Sequence, residues 1–269
     1  MLLSKLIYKY ALVTLMSISS FCKGANILAV EPLPVLSHWK FMRTLLLNLV
    51  KNGGHNVTVF TPFASSSFND NANYTEIDLR LNIPLLRDID FKTDIINLID
   101  VWQYIPMVTK ANNALVCTEI DKLPLTSKYD LFLVELISSE CVSHLSRVLD
   151  LPLVYISPTP MGSWMDDQVL GTFTHPSYIA RLFARYRSPT SFSERIDNIY
   201  NQALIRLLYW LYEPAVDNVK PSIIFVNSHE IVEKHYPRPN NVILVGGINL
   251  PISGTLPLVS KYVKFNHSN

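Results

Sequence analysis

The sequence lacks the features that mark several common classes of protein. Only 8 of its 269 residues are glycine and only 3 are cysteine, which excludes a collagen-like chain and a disulfide-dense scaffold. Lysine and arginine (23) nearly balance aspartate and glutamate (22), and no basic run occurs, which argues against a nucleic-acid partner. The apolar fraction of 49% is too high for a disordered chain and is sufficient for a buried core.

The best-known local signatures of catalytic sites are also missing. The chain has no G-x-G-x-x-G or G-x-x-x-x-G-K-[ST] motif for a nucleotide and no G-x-S-x-G nucleophile elbow. It has neither His-x-x-x-His nor C-x-x-C spacing, so we expect no metal site and no cofactor.

Residues 1–24 have the pattern of a secretory signal peptide, which predicts a location in the lumen of the endoplasmic reticulum. Lys5 and Lys9 precede the apolar run Ala11–Phe21, which is too short for a typical membrane span. An N-terminal anchor is the alternative. Since no other apolar run approaches about 18 residues, we do not expect the remaining chain to span a membrane by itself.

A lumenal location changes how cysteine and asparagine are interpreted. Cys117 and Cys141 either form a disulfide or remain as two buried thiols. Of the three N-x-[ST] sequons, we expect Asn73 to be glycosylated because it follows a polar stretch. We expect Asn56 to be unmodified because it adjoins a predicted buried strand.

A strand, a helix and a second strand open the chain and predict a parallel sheet. The apolar run Asn26–Val30 and the run Val57–Thr61 flank a segment with helical periodicity. Ser37 is the expected N-cap of this helix and Gly53-Gly54 its expected end. The pattern predicts an α/β fold, a Rossmann-like open parallel sheet of roughly seven strands with flanking helices.

The later elements continue the alternation. The further predicted strands are Glu76–Ile83, Asp130–Leu136, Leu153–Ile156, Ser222–Asn227 and Val242–Val245. The further predicted helices are Asp94–Cys117, Cys141–Leu149, Ile179–Tyr186 and Ser193–Tyr212.

His38 and Glu135 are the candidate catalytic residues. Ligands of open parallel sheets bind at the carboxyl ends of the strands, where His38 begins the first helix and Glu135 lies near the end of a strand. A neutral imidazole oriented by a carboxylate can remove a proton from a hydroxyl group. The alternative is structural, with His38 as a helix-start residue and Glu135 as a strand-end charge.

Several collinear segments of the chain form a recognisable set. The opening segment is ANILAVEPLPVLSHWKFMRTLLLNLVKNGGHNVTVFTPF, residues 25–63. The later segments are YDLFLVE (129–135), LPLVYIS (151–157), HPSY (175–178), SFSER (191–195), NSH (227–229), YPRP (236–239) and VGG (245–247). From Asn26 to Pro257 the chain therefore resembles the UDP-glycosyltransferase family, especially its arthropod membrane-bound type.

The resemblance implies the N-terminal half of a GT-B fold, with UDP-sugar as co-substrate and a small lipophilic acceptor. It implies inversion at the sugar, with His38 as the general base and Glu135 where the family usually has Asp. Family acceptor pockets are apolar, so the candidate acceptor contacts are Trp39, Met161, Trp164 and Phe173, with core packing as their alternative.

The expected organisation is a signal peptide (1–24), an acceptor domain (25–257) and a divergent tail (258–269). No segment resembles the family's UDP-sugar domain or its transmembrane helix, so we expect a truncated or partial transferase. The alternative is a catalytically inactive lumenal protein that binds lipophiles or associates with full-length family members. Membrane association would then require a partner or a missing C-terminal helix.

Overall fold

The computed structural model describes residues 24–65, 72–81, 128–160, 175–181, 184–212, 219–231 and 238–250, with residue 169 and part of 110–125. The strands are β1 (Asn26–Val30), β2 (Asn56–Thr61), β3 (Tyr74–Asp78), β4 (Leu131–Glu135), β5 (Leu153–Ser157), β6 (Ile223–Val226) and β7 (Val242–Leu244). The helices are α1 (Leu36–Gly53), α2 (Leu145–Val148) and α3 (Phe192–Tyr212), and a 3₁₀ turn spans Leu79–Leu81.

All seven strands form one parallel sheet in the order β3-β2-β1-β4-β5-β6-β7. The order reverses direction at β1, since β2 lies on one side of it and β4 on the other. This reversal is the topological switch point at which open α/β sheets place their ligands. The predicted Rossmann-like parallel sheet is therefore confirmed, and β1 and β2 are parallel neighbours as expected.

Alternate residues of the central strands face two hydrophobic clusters. Ala29 and Leu133 pack with Met42 of α1 on one face of the sheet. Val30 and Val134 belong to the cluster on the other face, which also contains Ile205 of α3. Because both faces are covered, the central strands are apolar along their whole length, which is typical of parallel sheets.

Helix α1 forms where its periodicity predicts but begins earlier than expected. The Val35 carbonyl accepts the backbone N–H groups of His38 and Trp39, so the helix starts at Leu36 and Ser37 lies inside it. Ser37 is therefore not the N-cap. The predicted end is correct, because Gly54 adopts a left-handed conformation (φ 63°) and its N–H bonds to the Val50 carbonyl.

Two predicted helices are wrong in extent. Of Cys141–Leu149 only α2 is helical, because in the preceding turn the Ser143 hydroxyl bonds to the Glu140 carbonyl three residues earlier and competes with helix formation. The described part of Ile179–Tyr186 is not helical. There the Asn198 side chain of α3 binds the backbone of the loop at Ile179 and Arg181.

The structure decides between the two cysteine alternatives and shows whether two of the sequon asparagines are accessible. Cys117 and Cys141 form a disulfide, with Cα atoms 5.2 Å apart. Asn73 is exposed, as a glycosylation site must be. Asn56 is exposed as well, at the first residue of β2, so the expectation that burial protects it is wrong. Its side-chain amide donates a hydrogen bond to the Asn26 Oδ1 atom at 2.9 Å.

Candidate active site at the carboxyl edge of the sheet

Three ionisable side chains meet where the two central strands end. Glu135 is the last residue of β4, and Glu31 directly follows β1. His38 lies on the first turn of α1, the helix that returns from β1. The topology places all three at the switch point of the sheet.

His38 and Glu135 lie next to each other, as the sequence predicts. The His38 Nδ1 atom is 3.4 Å from the Glu135 Oε1 atom, with His38 15% exposed and Glu135 fully buried. The contact has ion-pair distance but not the alignment of a hydrogen bond. Burial raises the pKa of Glu135, and the His38 ring offsets part of that increase. This geometry allows His38 to contact solvent or a substrate on one side and a carboxylate on the other.

Glu31 is a third residue of the site, and no motif in the sequence identifies it. Its side chain is fully buried. Burial raises the pKa of Glu31 well above its ordinary value, the Glu135 charge raises it further, and the backbone amide of Leu33 lowers it. A signal was present in the sequence, because an acidic residue directly after an apolar strand reaches the same edge as Glu135.

The turn between β1 and α1 is fixed by contacts from distant segments. The Glu31 N–H donates to the Phe60 carbonyl at 2.9 Å, which extends the β1–β2 ladder by one residue. The buried Asn112 side chain donates to the Pro32 carbonyl at 3.0 Å. The turn that carries Glu31 and His38 is therefore held from both sides.

The structure describes one of the four candidate acceptor contacts, Trp39, and the position of Trp39 does not support that role. Trp39 is only 2% exposed and packs in the cluster beneath α1, with the Arg43 guanidinium 5.7 Å from its ring centroid. Met161, Trp164 and Phe173 lie outside the described residues. Their predicted contact with an acceptor stays a prediction.

A cavity of about 410 Å³ opens at the carboxyl ends of β6 and β7. Its lining comprises Pro160, residues 227–229, Gly246, Gly247 and Leu250. A Cβ atom on Gly246 would lie 2.5 Å from the Ser228 carbonyl oxygen, so a side chain there would force the two loops apart. The cavity lies along the same sheet edge as His38 and Glu135.

The described residues contain neither a cluster of metal ligands nor a membrane-spanning helix. Within them, no three His, Cys, Asp or Glu side chains are grouped so that they could bind a metal ion. None of the described helices is long and apolar enough to cross a membrane.

Comparisons with known proteins found a matching family model and similar curated proteins. The family model "UDP-glucoronosyl and UDP-glucosyl transferase" matches residues 27–233. The chain is 28% identical to UDP-glycosyltransferase UGT5 of Dactylopius coccus, over 91% of this chain and 51% of that protein. It is 27% identical to the ecdysteroid UDP-glucosyltransferase of Lymantria dispar multicapsid nuclear polyhedrosis virus, over 95% of this chain and 56% of that protein. The chain spans about half the length of these relatives.

Among solved structures, the chain is similar to Medicago truncatula UGT71G1 complexed with UDP-glucose. That match has a TM-score of 0.48 and 16% sequence identity, and it covers 86% of this chain and 53% of that one.

Proposed function

The chain belongs to the UDP-glucoronosyl and UDP-glucosyl transferase family, and from that premise we propose that it is the acceptor domain of a hexosyltransferase. The reaction moves a hexose from a UDP-sugar to a hydroxyl group of a small lipophilic acceptor. One observation carries the proposal: the His38 ring lies 3.4 Å from the buried Glu135 carboxylate at the switch point of the sheet. A histidine oriented by a carboxylate suits the deprotonation of a hydroxyl group.

The proposed reaction inverts the anomeric carbon of the sugar. His38 Nδ1 faces Glu135, so Nε2 accepts the proton of the acceptor hydroxyl. The acceptor oxygen forms the new bond to the anomeric carbon as the bond to UDP breaks, and UDP leaves with the bonding electrons. The ionised Glu135 carboxylate stabilises the imidazolium that results. UDP-sugar is the co-substrate, and the scheme requires no other cofactor and no metal.

The proposal includes a second domain that holds the UDP-sugar. We propose that this domain faces the present one in a GT-B arrangement within the lumen of the endoplasmic reticulum. If the second domain belongs to another chain, we propose that the present chain associates with a full-length family member that carries it. Holding donor and acceptor together contributes about 7–11 kcal/mol to lowering such a barrier. The chain by itself is therefore expected to bind UDP-sugar weakly and to transfer no sugar.

A transfer assay tests the proposal. The chain is expressed in the secretory pathway, alone and fused to the C-terminal half of a relative such as UGT5 of Dactylopius coccus. Both forms receive labelled UDP-glucose, UDP-galactose or UDP-glucuronate with a panel of lipophilic alcohols and phenols. We expect transfer by the fusion alone, and we expect His38→Ala to lower it about 10²–10⁴-fold.

The matched control is His55→Ala. The His55 ring accepts the Ala25 N–H at 3.0 Å at the opposite, amino edge of the sheet, so its loss should leave transfer unchanged. A fusion whose transfer is indifferent to His38→Ala would contradict the proposed base. A chain that never transfers sugar, but binds the acceptors and alters a co-expressed full-length enzyme, would support the inactive partner instead.

A further inference from the structure

Glu31 and Glu135 occupy neighbouring positions on adjacent strands. Val30 of β1 is level with Val134 of β4 in the parallel register, so the next pair along the strands is Glu31 and Glu135. Adjacent strands lie about 4.8 Å apart. Ala29 and Leu133, two residues earlier, both pack beneath α1, and side chains two residues apart share a face of a sheet. Both carboxyl groups therefore point toward the side from which His38 approaches.

The two carboxyl groups are poorly compensated for a pair of buried charges. Both side chains are fully buried, and within the described part of the chain none of their four oxygens has an aligned hydrogen-bond partner. The backbone amides of Leu33 and Ile137 offset only part of the burial that raises the pKa of Glu31 and of Glu135. The His38 ring contacts Glu135 at 3.4 Å. Two like charges in such a site cannot both ionise at moderate cost, and proteins resolve this by leaving one proton on the pair.

The position of His38 decides which carboxyl keeps the proton. His38 contacts Glu135, so Glu135 is the member whose negative charge is compensated. Among the described residues, the charge that acts on Glu31 is that of Glu135 from β4, and His38 from α1 contacts Glu135. Strand β2 ends level with Glu31 at Thr61, which is uncharged. The proton is therefore more stable on Glu31.

We propose that Glu31 and Glu135 hold a single proton between them, that Glu31 carries it, and that Glu31 is thereby a positioning residue that leaves Glu135 ionised for His38. The shared proton follows from the buried pair itself. Its meaning for catalysis rests on the proposed function, in which the Glu135 charge must be available when His38 becomes an imidazolium. In that step Glu31 neither gains nor loses its proton.

Infrared difference spectroscopy of the protonated carboxyl band tests the shared proton without any activity. The samples at neutral pH are the full chain, Glu31→Gln and Glu135→Gln. We expect the band to disappear in Glu31→Gln and to persist in Glu135→Gln, where Glu31 stays buried and protonated. A band that survives Glu31→Gln, or that vanishes in Glu135→Gln, overturns the proposal. If Glu31→Gln does not fold, Glu135→Gln still tests the proposal.

A pH profile of the active fusion tests the positioning role. Glutamine mimics a protonated glutamate, so the kcat profile of Glu31→Gln, normalised to its own maximum, should lose one ionisation from its alkaline side. A merely structural residue would not move that limb, and an unchanged limb overturns the positioning role.

If no form of the protein transfers sugar, the proposed function fails while the infrared result still decides the shared proton. If His38→Ala abolishes transfer but the band survives Glu31→Gln, only the present inference fails.

Discussion

The His38 imidazole and the Glu135 carboxylate are 3.4 Å apart although they come from α1 and β4, which are far apart in the chain. Strand β4 is inserted beside β1, and the helix that follows β1 starts at the same edge at which β4 ends. The contact is thus a consequence of parallel topology rather than of local sequence. Because the His38 ring contacts this carboxylate, the charge of Glu135 is the first property to test.

We expect Glu135→Gln to lower transfer by the active fusion about 10²–10⁴-fold, the range of general acid–base contributions. The amide keeps the size of the side chain but cannot compensate an imidazolium at His38. Initial rates at saturating donor and acceptor measure the effect. Glu135→Asp restores the charge on a shorter side chain and should recover part of the activity. Equal rates for the Gln and Asp variants would show that charge at this position is irrelevant.

The disulfide between Cys117 and Cys141 should stabilise the fold. The two residues are separated by 24 positions, and a cross-link of that span contributes about 3–4 kcal/mol in the chain-entropy description. We expect Cys117→Ser/Cys141→Ser to lower the free energy of unfolding by that amount and to shift the urea midpoint to a lower concentration. Adding a reductant should bring the parent to the midpoint of the double variant. Coincident urea curves for the oxidised parent and the variant would contradict this.

The buried ion pair between Arg43 and Glu76 should also stabilise the fold. Arg43 Nε lies 2.9 Å from Glu76 Oε1, which also accepts the Tyr74 hydroxyl at 3.0 Å. Removing one partner of a buried pair costs about 3–5 kcal/mol, and the partial exposure of Arg43 lowers that figure. We expect Glu76→Gln to reduce the free energy of unfolding by at most this amount. The exposed pair Glu230–Arg238 is the control, where Glu230→Gln should cost under about 1 kcal/mol.

The sequence predicts those features that depend on periodicity and on the topology of parallel strands. Asn26–Val30 matches β1 residue for residue because an apolar run bounded by Glu31-Pro32 has sharp limits. The predicted strand Glu76–Ile83 is shifted, because pairing with β2 adds Tyr74 at one end and the 3₁₀ turn at Leu79–Leu81 ends the strand at the other.

Features that depend on tertiary contacts could not be predicted from single segments. The loop at Ile179 is not helical because Asn198 of α3 binds its backbone. Glu31 belongs to the site because its register beside Glu135 and its burial become visible only once β1 and β4 are paired. The contribution of each polar residue thus depends on which strands are neighbours.

We expect Asn73 to carry an N-linked glycan when the protein is made in the secretory pathway. Asn73 and Thr75 are both exposed at the start of β3, so the sequon is accessible. Mass mapping of peptides before and after enzymatic deglycosylation measures occupancy, and Thr75→Ala should remove it. An unoccupied Asn73 in lumenally expressed protein would contradict the prediction. The same map reports the occupancy of Asn56, which burial does not exclude.

The stability of the fold should depend on pH through Glu31. Burial and the Glu135 charge raise the pKa of Glu31 in the folded protein well above its ordinary value. In the unfolded chain Glu31 titrates near the ordinary value of about 4.3. Between these two values the folded protein retains a proton that the unfolded chain releases. The free energy of unfolding therefore falls as pH rises through this window, by up to about 1.4 kcal/mol per pH unit.

Glu31→Gln removes this linkage because glutamine does not titrate. We expect the variant to be more stable than the parent at neutral pH and to show a shallower decline above about pH 5, as measured by urea denaturation at a series of pH values. Burial also raises the pKa of Glu135, so Glu135 contributes the decline in stability that remains in the variant. Glu76→Gln, a substitution at an ion-paired buried glutamate, should instead lower stability at neutral pH. Parallel pH curves for the parent and Glu31→Gln would mean that Glu31 is ionised in the folded protein, since an ionised Glu31 releases no proton on unfolding.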